Sequence, residues 1–145
     1  MRLRRPRPRG VTLVELLVAL AVASVLAAVT LGGLRALAAR EAVRAAAGEV
    51  RAAFAAARTL AVARGARAAV RIDTIAGRLV VHAGADTVWR ATPGDAHGVR
   101  LAASRDSMAY AGGSGLGHGA ANLRVVVRRG WAAETVVVAR AGRVR

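Results

Sequence analysis

A chain of 145 residues without a cysteine has room for one modest domain, and it excludes disulfide staples and thiolate metal sites. The formal charge of +15 comes from 23 basic and 8 acidic residues, and every basic residue is an arginine. Aromatics at 3 % are too few for the stacking platforms that hold single-stranded nucleic acid, and the lysine-free, Ala-, Gly- and Val-rich composition fits a GC-rich coding bias, which weakens any argument from arginine number alone.

The first element, residues 1–10, is a basic leader, Met-Arg-Leu-Arg-Arg-Pro-Arg-Pro-Arg-Gly. Residues 11–34 follow as an apolar helix. From Leu16 to Leu34 there is neither an ionisable residue nor a proline. At 1.5 Å per residue this run makes about 29 Å of helix, the thickness of a bilayer's hydrocarbon core. Five arginines lie before the run and Arg35 alone lies just after it, which holds the N-terminus in the cytoplasm. Gly10 offers a protease a backbone with no side chain in the way. Glu15 stands at the mouth of the run, where an ionised carboxylate costs up to about 2.5–3.5 kcal/mol at mid-membrane and less near the interface. A chain cut after Gly10 would carry the amine of Val11, a cation, in the same apolar surroundings as Glu15. The plainer reading of Glu15 is a carboxylate favoured at a helix start by the macrodipole. Three rival readings fit less well. A secretory signal peptide cut at Ala36-Leu37-Ala38 has too long a core and would not carry Glu15. A twin-arginine signal at Arg4-Arg5 is followed at once by Pro6. A plain single-span anchor leaves Gly10 and Glu15 without a role.

Residues 35–64 continue the helix with one polar face. Arg44, Arg51 and Arg58 recur every seven residues, with Arg40 one turn earlier, while Val43, Val50, Phe54, Ala57 and Ala61 mark a face suited to packing on a sheet. Alanine favours the helix and Gly65 ends it. Gly32-Gly33 is its weak point, which could kink or locally melt; an unbroken helix from Thr12 to Arg64 would be roughly 80 Å long. Residues 65–145 change period. Short strands are expected over 66–72, 78–83, 88–90, 98–102, 107–110, 123–128 and 135–140, separated by Gly- and Asp-containing turns such as Pro93-Gly94-Asp95. Ala111 to Asn122, with Gly-Gly-Ser-Gly-Leu-Gly-His-Gly, reads as a mobile surface loop. The fold class is therefore α+β: a long N-terminal helix, membrane-spanning in its first half, packed on a small antiparallel β-sheet head. A head of this size leans on the face around Phe54.

Gly10-Val11-Thr12-Leu13-Val14-Glu15 resembles the class III signal of type IV prepilins and type II secretion pseudopilins, Gly-Phe-Thr-Leu-(Ile/Val)-Glu, with Val11 in place of Phe. The resemblance implies cleavage after Gly10 by a prepilin peptidase, methylation of the new terminus at Val11 and an assembly role for Glu15. It also implies other pilin or pseudopilin subunits and an inner-membrane assembly platform as partners. The place it implies is the bacterial inner membrane with a periplasmic head, then a periplasmic pseudopilus or surface pilus. Over its whole length the chain is similar to the minor pseudopilin H and FimT-like minor pilins. The helix end Ala57-Arg58-Thr59-Leu60-Ala61-Val62-Ala63-Arg64-Gly65 matches that branch, as do Tyr110-Ala111-Gly112-Gly113 and a terminal strand, Val136 to Arg145, that closes on Gly142-Arg143-Val144-Arg145. Pilins often carry a proline where this chain has Gly32-Gly33.

No catalytic constellation is expected, and no cofactor or metal is implied. Ser114 lacks the last glycine of a nucleophile elbow. Gly115 to Ala120 leads into a strand and not into a phosphate-binding helix. His82, His97 and His118 have no ligand spacing, and Asp73, Asp86, Asp95 and Asp106 lie near turns, where Asp is ordinary. The candidate binding residues are Arg124, Arg128, Arg129, Arg140, Arg143 and Arg145. Alternation sets Arg124 and Arg128 opposite Leu123, Val125 and Val127, and sets Arg143 and Arg145 on one side of an extended tail. Such guanidiniums could track DNA phosphates without reading sequence; the plainer reading is a solvated sheet face. The Gly-Arg-x-Arg tail resembles that associated with DNA binding among FimT-like minor pilins, and Gly-Arg also ends the secretion pseudopilins.

Overall fold

The computed structural model describes residues 10–118 and 122–145; the leader arginines and residues 119–121 lie outside the described residues. Helix α1 runs Leu13–Arg64. Its first part belongs to a unit that ends at Ala36, and the rest to a second compact unit, Leu37–Arg145. In the first unit the apolar side chains are exposed all round, Leu13 at 74 % and Val29 at 72 % among them. A helix apolar on every side has no water-facing surface and requires a membrane or other helices around it. Gly32 and Gly33 are both helical, so the chain does not melt there. The hydroxyls within the run stay satisfied by their own helix. Ser24 Oγ donates to the Ala21 carbonyl at 2.8 Å and Thr30 Oγ1 to the Leu26 carbonyl at 2.8 Å, the local solution available where no water can serve.

In the second unit α1 buries Val43, Ala46, Ala47, Val50, Ala53, Phe54, Ala57 and Ala61. That three-and-four spacing is one helix face, and its alanines bring the backbone close to the strands. Strands β1 (Ala68–Asp73), β2 (Arg78–Ala83), β3 (Asp86–Ala91), β5 (Ser107–Tyr110) and β6 (Gly117–His118) form one antiparallel sheet in the order β3-β2-β1-β5-β6. Strands β4 (Arg100–Ala103), β7 (Leu123–Arg129) and β8 (Ala132–Val138) form another, β4-β7-β8. Alternate residues fill the core: Val70 and Ile72, Leu79 and Val81, then Leu123, Val125 and Val127, and Val136 and Val138. Among the described residues no polar or charged side chain is in that core apart from the tyrosine hydroxyl of Tyr110.

The helix end at Arg64 and strands 78–83 and 107–110 stand where the sequence puts them. The head's antiparallel strands form two sheets. Four features differ from the expectation. Pro93-Gly94-Asp95 opens a short helix, α2 (Pro93–His97), with proline at its start and Gly98 left-handed at its end. Strand β8 begins three residues earlier than expected and stops at Val138. Finally, the tail does not continue as a terminal strand. Gly142, at φ +76°, turns the chain, and Val144 returns to bridge Val138. The Gly-rich stretch is also more structured than a mobile loop over its described part, since β6 pairs with β5 and Gly115 is buried.

Candidate functional site

The N-terminal signal is shaped by a helix cap. Thr12 Oγ1 accepts the backbone N–H of Glu15 at 3.2 Å, and the Thr12 carbonyl accepts Leu16 N–H at 3.2 Å. Thr12-Leu13-Val14-Glu15 is thus the Thr-x-x-Glu start pattern, a signal legible in the sequence that the reading above missed. The cap sets the helix to begin at Leu13, which leaves Gly10 and Val11 outside it. Gly10 is exposed, with open space where a side chain would be. The Gly10–Val11 bond therefore lies outside the helix. Glu15 lies in the first turn of α1, exposed, and its carboxylate has no partner among the described residues. An acid here is favoured by the helix dipole.

The three motifs of the head meet in space. Gly113 N–H donates to the Ala61 carbonyl at 3.2 Å, and Gly112 lies against the backbone of Gly65 and Ala66 at the helix end. At Gly142 a Cβ would come 2.8 Å from the Gly115 carbonyl oxygen and 3.1 Å from Arg58 Nε. Gly117 N–H closes the group on the Arg140 carbonyl at 3.0 Å. Helix end, Tyr110–Gly113 stretch and tail turn form one packing node around the Arg58 side chain. Tyr110 is fully buried beside it, and its hydroxyl has no hydrogen-bond partner among the described residues. Burial pushes this phenol up to about 12, against a smaller opposing pull from the Arg58 charge.

The six candidate arginines do not form one cluster. Arg124 and Arg128 are exposed on the face of β7 opposite its buried valines, as alternation requires. Val137 and Arg145 exchange both backbone hydrogen bonds at 2.9 Å, and Val137 also pairs with Arg124. Directly paired residues share a sheet face, so Arg145 joins Arg124, and Arg143, two residues back, follows it. Arg100 of β4 pairs with Arg128 and is a fifth arginine on that face, one the strand expectation contained but could not register. No acidic residue occupies the same face of β4, β7 or β8. Arg129 and Arg140 stand apart. Arg129 donates to the His97 carbonyl at 3.0 Å and clips the hairpin to α2; Arg140 sits in the tail turn, where its backbone N–H meets Asn122 Oδ1 at 3.2 Å.

The remaining polar residues are engaged locally. His97 Nε2 lies 2.9 Å from Glu49, and His82 lies 3.4 Å from Thr87. Asp73 accepts the N–H groups of Ala76 and Ile75 across the β1–β2 turn. The Ala76 bond, with help from Arg78, holds its carboxyl below the ordinary value despite opposing desolvation. Ser114 Oγ accepts Leu116 N–H within its own turn. Among the described residues no three metal-ligating side chains converge.

Comparison with known proteins agrees with these features. Residues 5–31 match the family model described as the prokaryotic N-terminal methylation motif. The type IV minor pilin FimU of Pseudomonas aeruginosa has a similar structure at 15 % identity, with 73 % of this chain and 88 % of that one covered and a TM-score of 0.62. The minor pseudopilin EpsH from the type 2 secretion system of Vibrio cholerae is similar at 15 % identity, covering 71 % and 94 %, with a TM-score of 0.55. No curated protein matches the sequence. The chain thus carries a prokaryotic N-terminal methylation motif on a fold similar to those of FimU and EpsH.

Proposed function

We propose that this chain is a minor subunit of a type II secretion pseudopilus or type IV pilus. A prepilin peptidase cuts it after Gly10, and the new terminus at Val11 is methylated. The precursor waits in the bacterial inner membrane with its N-terminus cytoplasmic and its head periplasmic. The assembly platform then moves α1 into the filament core beside other subunits. The supporting observation is the capped helix start, which leaves the Gly10–Val11 bond outside the helix and sets in its first turn a Glu15 carboxylate with no partner among the described residues. In the apolar filament core the freed amine of one subunit and the Glu15 carboxylate of its neighbour would each neutralise a charge that is expensive to bury alone. N-terminal mass spectrometry of membrane-extracted protein tests the reading. A chain starting at Val11 with an added methyl group is expected; a start at Met1 or after Ala38 refutes it.

A second reading rests on the acid-free arginine face of β4-β7-β8. A head that binds duplex DNA through Arg100, Arg124, Arg128, Arg143 and Arg145 would do so weakly, without sequence preference and with a steep salt dependence. Replacing Arg143 and Arg145 by Gln should weaken binding and flatten the salt slope by up to about two units. An anisotropy titration at two salt concentrations decides it, and a parent protein that fails to bind at low salt removes the reading.

A further inference from the structure

Trp131 occupies the tip of the β7–β8 hairpin and is 62 % exposed. Its ring is not in the core; the Arg40 guanidinium of α1 lies over it, 4.7 Å from the centroid. Beside the pair runs a shallow groove of about 320 Å³ floored by Ala132, Ala133 and Val43. A second apolar side chain, Ile75, is 99 % exposed at the tip of the β1–β2 turn. Hairpin tips ordinarily carry Gly, Asn or Asp, so two large apolar tips in one small head need an explanation.

Both tips face the same end of the head. The start of β1 and the tail turn after β8 are held at the C-terminal end of α1, through the Gly112 contact with Gly65 and the Gly142 contact with Arg58. The end of β1 and the start of β8 must then lie toward Arg40, as the Trp131 contact shows directly. Arg40 follows Leu34, the last residue of the uncharged run, by six residues, and a long arginine stem can reach back to put its charged head among lipid headgroups. The headgroup layer on each side of a bilayer is about 5–8 Å deep. A guanidinium at that level meets lipid phosphate, for which it is a bidentate donor, and no carboxylate pairs with Arg40 among the described residues. An indole with one apolar body and one N–H is the side chain that collects at the same level.

We propose that Arg40 and Trp131 form a phospholipid seat, in which the guanidinium holds a lipid phosphate and the indole lies among the headgroups. The seat fixes how the head stands on the membrane before assembly, and it must be released when the subunit is drawn into a filament. It rests on the reading of α1 as a membrane anchor. The chain has two tryptophans, which makes the test direct. Trp89→Phe leaves Trp131 as the only indole, and Trp131→Phe leaves Trp89, which packs against the core. Each full-length variant is reconstituted into vesicles of phosphatidylglycerol and phosphatidylethanolamine, with and without lipids brominated high on their acyl chains. Trp131 should lose emission to the brominated lipid and shift to shorter wavelength while Trp89 does neither, and Arg40→Gln should reduce the loss at Trp131. Flotation of the vesicles scores anchoring separately. If the protein floats and Trp131 is quenched no more than Trp89, the seat is overturned and the anchor stands. If quenching survives Arg40→Gln undiminished, the guanidinium has no part in it. Failure to float removes the anchor and the seat together.

Discussion

Gly112→Ala tests whether three short stretches, far apart in the sequence, act as one lock. A Cβ at 112 would lie 2.5 Å from the Gly65 carbonyl carbon, 2.7 Å from Ala66 N and closer still to the Gly65 carbonyl oxygen. All three atoms are main chain at the end of α1, so no rotamer change relieves the overlap. The stretch must lift off the helix, which strains its packing by about 1–3 kcal/mol and loses the Gly113-to-Ala61 hydrogen bond, worth about 1 kcal/mol. Gly113 is the internal control. It has φ +76° but open space around it, so alanine there costs only the left-handed backbone, about 1–2 kcal/mol. In a head of this size each kcal/mol lowers the unfolding midpoint by roughly 4–8 °C. Gly112→Ala should therefore lose roughly 8–32 °C and Gly113→Ala roughly 4–16 °C, by the same conversion. Both tryptophans lie in the head, so fluorescence-monitored melting of the full chain in detergent reports the head. A Gly112→Ala variant no less stable than Gly113→Ala would show that the helix end and the Gly-rich stretch are not locked together.

Two further outcomes follow from the same geometry. Tyr110→Phe should be neutral or stabilising, because it removes a buried hydroxyl that has no partner among the described residues. A phenol held up to about 12 in the fold and near 10 when unfolded gives stability that is complete below pH 10 and lost as pH rises toward 12. Alkaline melting curves should show that loss in the parent and not in Tyr110→Phe. Glu15→Ala should leave cleavage after Gly10 and membrane insertion intact while lowering the share of processed subunit in the filament fraction; unchanged incorporation would remove Glu15 from assembly.

The helical part of the fold was legible because its signals are local. An uncharged run, an apolar stripe at Val43, Val50, Phe54, Ala57 and Ala61, and a terminating Gly65 specify α1 without reference to anything else. The Thr12 cap was equally local and went unread. What could not be read depends on contacts between distant residues. Nothing near Arg100 says that it will pair with Arg128, and nothing near Pro93 says that His97 will meet Glu49 and so favour a turn of helix over a simple bend. The tail shows the difference most clearly. Val136 to Arg145 has the composition of one strand, but Gly142 takes a positive φ, and the bond from Ala139 N–H to the Arg143 carbonyl folds the last residues back on β8.

That fold-back changes what the terminal arginines can do. A straight strand would have carried Arg143 and Arg145 past the sheet, as a free arm. Returned against β8, they become part of the same face as Arg124 and Arg128, with backbone bonds on both sides of Val144 holding them. Gly142 is what permits the turn, and it also fits closely beneath Arg58 and Gly115. The Gly-Arg ending therefore combines two separable parts, a glycine required by packing at the node and arginines presented to solvent. Any chain of this fold that needs the node has reason to keep the glycine, whatever its arginines meet. The glycine accordingly speaks to architecture, and only the arginines, by their charge and by the absence of acid on their face, speak to a partner.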